Sequence, residues 1–219
     1  MMTFIELSHR VTAGMVTYPG LPGPRISDHV TRTETAERFG PHAAFQIGEI
    51  TMISNTGTYL DTPFHWYADG TDLSGIPLER VADLPGLVVR PGPGRRGLDA
   101  GDLAGLEVAG RAVLVHTGWD RHFGTEAYGA PDHPHLTAAA VEALIAGGAA
   151  LVGIDSVNID DMADRRRPAH TGLLAAGIPI VEHLTGLDRL PADGFRFTAV
   201  PPPIAGMGTF PVRAYAVVG

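Results

Sequence analysis

Apolar and polar positions along the chain mark out strands first. "TFIELS" (3–8) alternates, and "AGMVTYPG" after it is a loop punctuated by glycine and proline. Residues 21–43 are polar and irregular, the pattern of a mobile or partner-contacting segment. "AFQIGEITMIS" (44–54) alternates with period two and carries apolar residues on both faces, which predicts a strand covered on both sides. "IPLERVADLP" (76–85) predicts one or two helical turns, and "LDAGDLAGL" (98–106) a short helix. Strands are expected in "GLVVRP" (86–91), "RAVLVHTGW" (111–119), "ALVGIDS" (150–156) and "IPIVEHL" (178–184). "FRFTAVPPP" (195–203) and "VRAYAVV" (212–218) add two more. The clearest helix lies in "HLTAAAVEALIAGGA", where Thr137 can cap the start and Gly147–Gly148 stop the end. "HTGLLAAG" (170–177) predicts a shorter one that ends at Gly177. A strand-rich first half joined to strand–helix–strand alternation predicts an α/β fold with a mixed sheet, in one domain over residues 1–219.

Composition narrows what such a fold can do. With 44% hydrophobic and 18% charged residues, the chain has the makings of a core and not of a disordered tail. A net charge of −8 disfavours nucleic acid as a partner; the one dense basic run, Arg165–Arg166–Arg167, reads as a solvated surface loop. The chain has no cysteine, which excludes disulfides, thiolate metal sites and cysteine nucleophiles. Lysine is absent too, since all 16 basic residues are arginine, so Schiff-base chemistry is excluded. Catalysis must come from His, Asp, Glu, Tyr, Ser or Thr. No basic region followed by an apolar run opens the chain, and the longest apolar stretch is interrupted by Glu142 and glycines. The expectation is a cytoplasmic protein without a membrane partner.

Common motifs give little. "GPGRRG" (92–97) matches a dinucleotide-binding fingerprint, but no helix opens on its last glycine, and a surface turn is the better reading. There is no G-x-S-x-G and no H-E-x-x-H. "HPH" (133–135) reads as a surface loop and not a metal pair. "SNTGTYLDTPFH" (54–65) is richer. In an extended chain Asp61 and His65 fall on one side, stiffened by Pro63, and Gly57 lets backbone approach closely. A loop whose Asp and Thr merely cap local turns is the competing reading.

As a whole the segment resembles the signature H-x-G-T-H-x-D-x-P-x-H of the cyclase family of metal-dependent hydrolases, which includes kynurenine formamidase and isatin hydrolase. Here it reads Asn55-Thr56-Gly57-Thr58-Tyr59-Leu60-Asp61-Thr62-Pro63-Phe64-His65. Further blocks resemble the family in order and spacing: "IELSHRVTAGMVTYPG", "DGTDLSGIPLERV", "VLVHTGW", "LVGIDSVNID", "HTGLLAAGIPIVEHLTGLDRL" and "PPPIAGMGTFPVRAYAVV". The resemblance implies a swivelling β/β/α domain, a homodimer or higher homo-oligomer, and a small-molecule substrate. By position it implies one metal site at Asn55, Tyr59 and Asp61, and a second at Asp61, His170 and Glu182. It makes His65 the general acid/base. Tyr18 falls where a loop lines a neighbour's pocket. Phe64 and Trp66 flank His65 and are expected to wall the pocket for a flat substrate, beside Asn55.

Two signature histidines are replaced. An Asn amide is a weak ligand for zinc or manganese, and a phenol with a pKa of about 10 is rarely ionised at neutral pH. The first site is therefore expected to be lost, while Asp61, His170 and Glu182 can still hold one divalent metal, zinc or manganese. Three readings follow. One is a hydrolase of an amide, lactam or ester. Another is a metal-independent cyclase, dehydratase or isomerase in which His65, Asp61 and Tyr59 move protons. The last is a non-catalytic binding protein.

Overall fold

Short apolar runs buried on both faces build the centre of this fold. The computed structural model describes residues 1–92 and 94–219. In chain order its elements are β1 (Thr3–Glu6), β2 (Arg25–Val30), α1 (Arg32–Phe39), β3 (Ile47–Thr51), β4 (Tyr59–Asp61) and β5 (Leu84–Val89). Next come β6 (Gly97–Leu98), β7 (Ala112–Val115), β8 (His135–Leu136), α2 (Ala138–Ala146), β9 (Leu151–Ile154) and α3 (Pro168–Ala175). The chain closes with β10 (Ile180–Glu182), β11 (Phe195–Thr198), β12 (Thr209–Pro211) and β13 (Tyr215–Val218). A nine-stranded mixed sheet runs β1-β13-β11-β5-β7-β9-β10-β4-β12. Its middle, β5-β7-β9-β10, is parallel, and both wings are antiparallel.

The buried strand β7 shows how the two faces are filled. Ala112 and Leu114 point into one hydrophobic cluster with Leu60, Val181, Leu184 and Phe197. Val113 and Val115 point into the other, with Val152, Ile154 and Ile180, under Val141 and Leu144 of α2 and Leu173 and Leu174 of α3. Helices cover the second face, as parallel strands require. The expected α/β fold with a mixed sheet is observed.

Several boundaries move. α2 starts where expected: the Thr137 hydroxyl accepts from Ala140 N at 3.2 Å, and Gly148 follows at φ +73°. α3 begins at Pro168, two residues before the expected start, because proline fits the first helical position. The turns predicted at 76–85 and 98–106 are 3-10 turns at Leu78–Arg80 and Ala100–Leu103.

Residues 21–43 are not irregular. They contain β2 and α1, and α1 is capped by a reciprocal box in which Glu34 N donates to the Thr31 hydroxyl and Thr31 N to the Glu34 carboxylate. β3 is a strand, but it is not covered on both sides. It pairs only with β2 in a separate two-stranded sheet, and all five of its residues are exposed.

"HPH" is not a surface loop: His133 is fully buried, and His135 lies in β8, which pairs in parallel with β6. In "GPGRRG", Pro93 lies outside the described residues; Gly97 opens β6, and no α-helix opens on it. No helix among the described residues is long and apolar enough to cross a membrane.

Candidate active site

Strand register assembles the centre. β4 lies between β10 and β12 with Tyr59 opposite Glu182 and Asp61 opposite Thr209. Cross-strand partners sit close enough for side chains to bond. The Tyr59 hydroxyl donates to Glu182 Oε2 at 2.7 Å, and the Thr209 hydroxyl donates to Asp61 Oδ1. After β4 the chain does not stay extended. Pro63 starts a 3-10 turn, Pro63–His65, which swings His65 back until its Nδ1 is 3.8 Å from Asp61 Oδ1 and 2.7 Å from the Thr209 hydroxyl. Thr209 has one proton and gives it to Asp61, so His65 Nδ1 carries the proton it donates to Thr209. Nε2 of His65 is left with its lone pair.

His170 arrives from the first turn of α3. Arg167, just before that helix, offers no capping side chain. Asp160 supplies the negative charge instead: its carboxylate accepts from Ala169 N at 2.6 Å and His170 N at 3.1 Å. The same carboxylate accepts from His170 Nδ1 at 2.6 Å. That bond turns Nε2 toward Asp61 Oδ2 at 3.9 Å and Glu182 Oε1 at 4.0 Å.

Burial sets the charges. It raises Asp61 to about 6, although His170 and Thr209 pull the other way. Burial also raises Glu182, with Asp61 adding to the effect. For His170 burial acts downward, but the Asp160 bond and the charges of Glu182 and Asp61 outweigh it and lift the imidazole to about 9. His65 is lowered by burial and by His170. Tyr59 is raised well above its usual value by burial, then by Glu182 and Asp61.

This donor set fits a divalent cation. Ligand atoms of Asp61, His65 and His170 all lie within 4.8 Å of one another. Asp61 is fully buried, and its Oδ2 has no hydrogen-bond partner among the described residues. A buried carboxylate oxygen without a donor is costly unless something positive sits there. His170 is held through Nδ1 by a carboxylate, the arrangement that orients a metal-ligating histidine, and a bound ion would take the place of the Nε2 proton. Glu182 also faces His170, but both its oxygens already accept, Oε1 from Ile159 N at 2.6 Å and Oε2 from Tyr59.

Tyr59 cannot stand in for an imidazole ligand. Its proton is engaged by Glu182, its oxygen lies 3.2 Å from His183 Nε2, and Asn55 reaches the same phenol. His183 in turn takes a proton from the Tyr128 hydroxyl at 2.8 Å on Nδ1. Tyr59 is thus tied to Glu182 and His183, and it faces the same cavity as Asn55.

A cavity of about 310 Å³ opens onto the cluster, lined by Tyr18, Leu21, Asn55, Tyr59, His65 and Trp66, with Asn158, Arg167, His170 and Glu182 completing it. A larger one of about 570 Å³, lined by Met15, Thr17, Phe123 and Tyr128 among others, holds none of the Asp61, His65, His170 group. Trp66 stacks on His170 with ring centroids 5.5 Å apart. Phe64 does not reach the cavity, because the 3-10 turn separates it from His65. Tyr18 lines the cavity of its own chain, and its hydroxyl lies 2.9 Å from Met162 Sδ. Sequence reading singled out neither Asp160, Thr209, Asn158 nor His183 as site residues. Asp160 lies in the block "LVGIDSVNID", and a buried acid near a helix start was the signal there.

An α/β fold with a carboxylate–histidine cluster at the edge of a mixed sheet defines a candidate metal or acid–base centre, and comparison with known proteins gives it a family. The family model described as "Putative cyclase" matches residues 5–161. The chain belongs to the cyclase family. Kynurenine formamidase of Geobacillus thermodenitrificans is 28% identical over 217 residues, covering 98% of this chain and 97% of its own. That of Maricaulis maris is 30% identical over 183 residues, covering 80% and 82%. A solved structure of isatin hydrolase A from Labrenzia aggregata, bound to benzyl benzoate, has a TM-score of 0.85 at 25% identity and covers 99% of this chain and 94% of that one.

Proposed function

We propose that this chain is a hydrolase that cleaves the C–N bond of a small aromatic amide or lactam. The observation that carries the reading is Asp61 Oδ2, buried, without a donor, and facing His170 Nε2 at 3.9 Å. Asp61 and His170 would hold one divalent ion, zinc or manganese, and we assign Glu182 as the third ligand because His65 is needed elsewhere. Such an ion polarises a bound carbonyl and acidifies a water. The chain supplies the rest. Trp66 offers a flat apolar wall for an aromatic ring, which the benzyl benzoate of the isatin hydrolase neighbour also supports. His65 Nε2 takes the proton from water as its oxygen bonds to the carbonyl carbon. The same proton then goes to the departing nitrogen as the C–N bond breaks, leaving an amine and a carboxylic acid, which ionises by releasing the second water proton to solvent. Thr209 holds His65 in the tautomer this requires. Tyr59 stays protonated and orients Glu182.

The antiparallel pairing of β1 with β13 supports one cyclase-family domain over residues 1–219. The exposed apolar residues of β2, α1 and β3 support a homodimer or higher homo-oligomer. A chain without cysteine suits a cytoplasmic setting.

Two variants test the roles. His65→Gln should keep the metal and lower kcat on aryl formamides roughly 10²–10⁴-fold. Glu182→Gln should lower metal affinity by roughly 10–100-fold. Metal content and amine release measure the two. Loss of metal in His65→Gln would move His65 into the ligand set. A wild-type protein, supplied with metal, that hydrolyses no formamide, lactam or ester would sink the hydrolase reading.

A further inference from the structure

The three arginines at 165–167 do not share one environment. Arg165 and Arg166 are exposed, and Arg166 pairs with Asp164 at 2.8 Å. Arg167 is half-buried and lines the cavity that holds His65, His170 and Glu182. Among the described residues no carboxylate oxygen lies within 4.0 Å of its guanidinium nitrogens. Its one side-chain bond runs from Nη1 to Asn158 Oδ1 at 3.2 Å.

Asn158 is fixed by that bond and by a second: Asp160 N donates to the same Oδ1 at 2.9 Å. Both partners are donors, so the amide orientation is settled, and Nδ2 is the free end. Asn158 also lines the cavity, and its Nδ2 has no protein acceptor among the described residues. One wall therefore presents a guanidinium with unused N–H groups beside an amide N–H₂. Of the other charged groups lining this cavity, Glu182 repels an anion, and His170 is already shared among Asp160, Asp61 and Glu182.

The backbone points the same way. Arg167 sits at φ 49°, ψ 60°, a left-handed conformation that glycine adopts without strain, and it precedes Pro168. A side chain is held at a turn where a glycine would be easier.

We infer that Arg167 and Asn158 form an anion subsite, and that the preferred substrate is an aromatic amide or lactam bearing a carboxylate away from the scissile bond. The planar guanidinium fork matches a carboxylate. The inference rests on the hydrolase reading for its substrate bond, but not for the anion contact.

Matched pairs of probes test it: 2-, 3- and 4-formamidobenzoate against the corresponding formamidobenzamides. In the wild type the best benzoate should exceed its benzamide in kcat/KM by about 10–100-fold, mostly through KM. Arg167→Gln should bring the ratio to about one by a loss confined largely to the benzoate's KM, and Arg167→Lys should restore part of it. A wild-type ratio near one, a ratio that Arg167→Gln leaves intact, or an equal loss on both probes overturns the subsite. Equal loss through kcat would make Arg167 a stabiliser of the reacting oxygen instead. If the metal-loaded wild type hydrolyses neither probe nor any other formamide, lactam or ester, the hydrolase reading fails. Calorimetric binding of the same pairs to wild type and Arg167→Gln then decides the anion subsite by the same ratio.

Discussion

Tyr59 carries a proton at a position where the family signature has an imidazole lone pair. Burial beside two carboxylates makes that proton harder to lose, and Glu182 accepts it at 2.7 Å. Behind Tyr59, His183 is neutral in the fold: burial, then His9, lowers it to about 3. In the unfolded chain it titrates near 6.5. Between these values the unfolded chain binds more protons, so the contribution of His183 is complete above pH 6.5 and is lost as pH falls toward 3. His183 has φ 57°, which asparagine tolerates, so His183→Asn is the informative change. The gap in unfolding free energy between wild type and His183→Asn should narrow by about 1.4 kcal/mol per pH unit below 6.5. Urea titrations at pH 7 and 5 measure it, and a constant gap would contradict the assignment. At this scale Asp61 and His65 stood out in their own segment, whereas His170 and Glu182 were reached only through the resemblance to the cyclase family. Asp160 and Thr209 were reached by neither route, because their roles come from register and helix docking.

Strands of three residues carry the site, and that length explains what the sequence hid. β4 and β12 are too short for an alternation to register, yet their pairing puts Thr209 against Asp61. Just before β12, Gly208 approaches the Pro63–His65 turn so closely that a Cβ would overlap the His65 backbone nitrogen. Backbone cannot step aside as a flexible side chain can. Gly208→Ala should therefore displace His65 and lower kcat by roughly 10²-fold, with the fold retained by circular dichroism. Unchanged turnover would show that the turn has room.

The other element-scale surprise is the arm of β2, α1 and β3. Ile26, Phe39, Phe45, Ile47 and Ile50 are between 44% and 54% exposed there. The apolar pattern on both faces of 44–54 was read correctly, but no part of the same chain covers it. A partner copy would. Sedimentation should find Ile47→Glu/Ile50→Glu shifted toward monomer relative to wild type, at unchanged secondary structure. A wild type that sediments as a monomer would remove the oligomer from this account.

Over the whole molecule, the strand–helix alternation of the second half translates into the parallel run β5-β7-β9-β10, and that much was plain in the pattern. Closure of the sheet by β1 against β13 was not, since nothing local links residues about two hundred positions apart. The site sits where the parallel centre meets the antiparallel wing, so β4, α3 and β10 each bring a side chain to it. We infer that Asp61 and His170 still hold a divalent ion there, although Asn55 and Tyr59 occupy two signature positions. Elemental analysis tests this directly, on protein loaded with zinc or manganese and then desalted. The account predicts about one ion per chain in the wild type and about a tenth or less in Asp61→Asn. A wild type that retains no more metal than Asp61→Asn would contradict it.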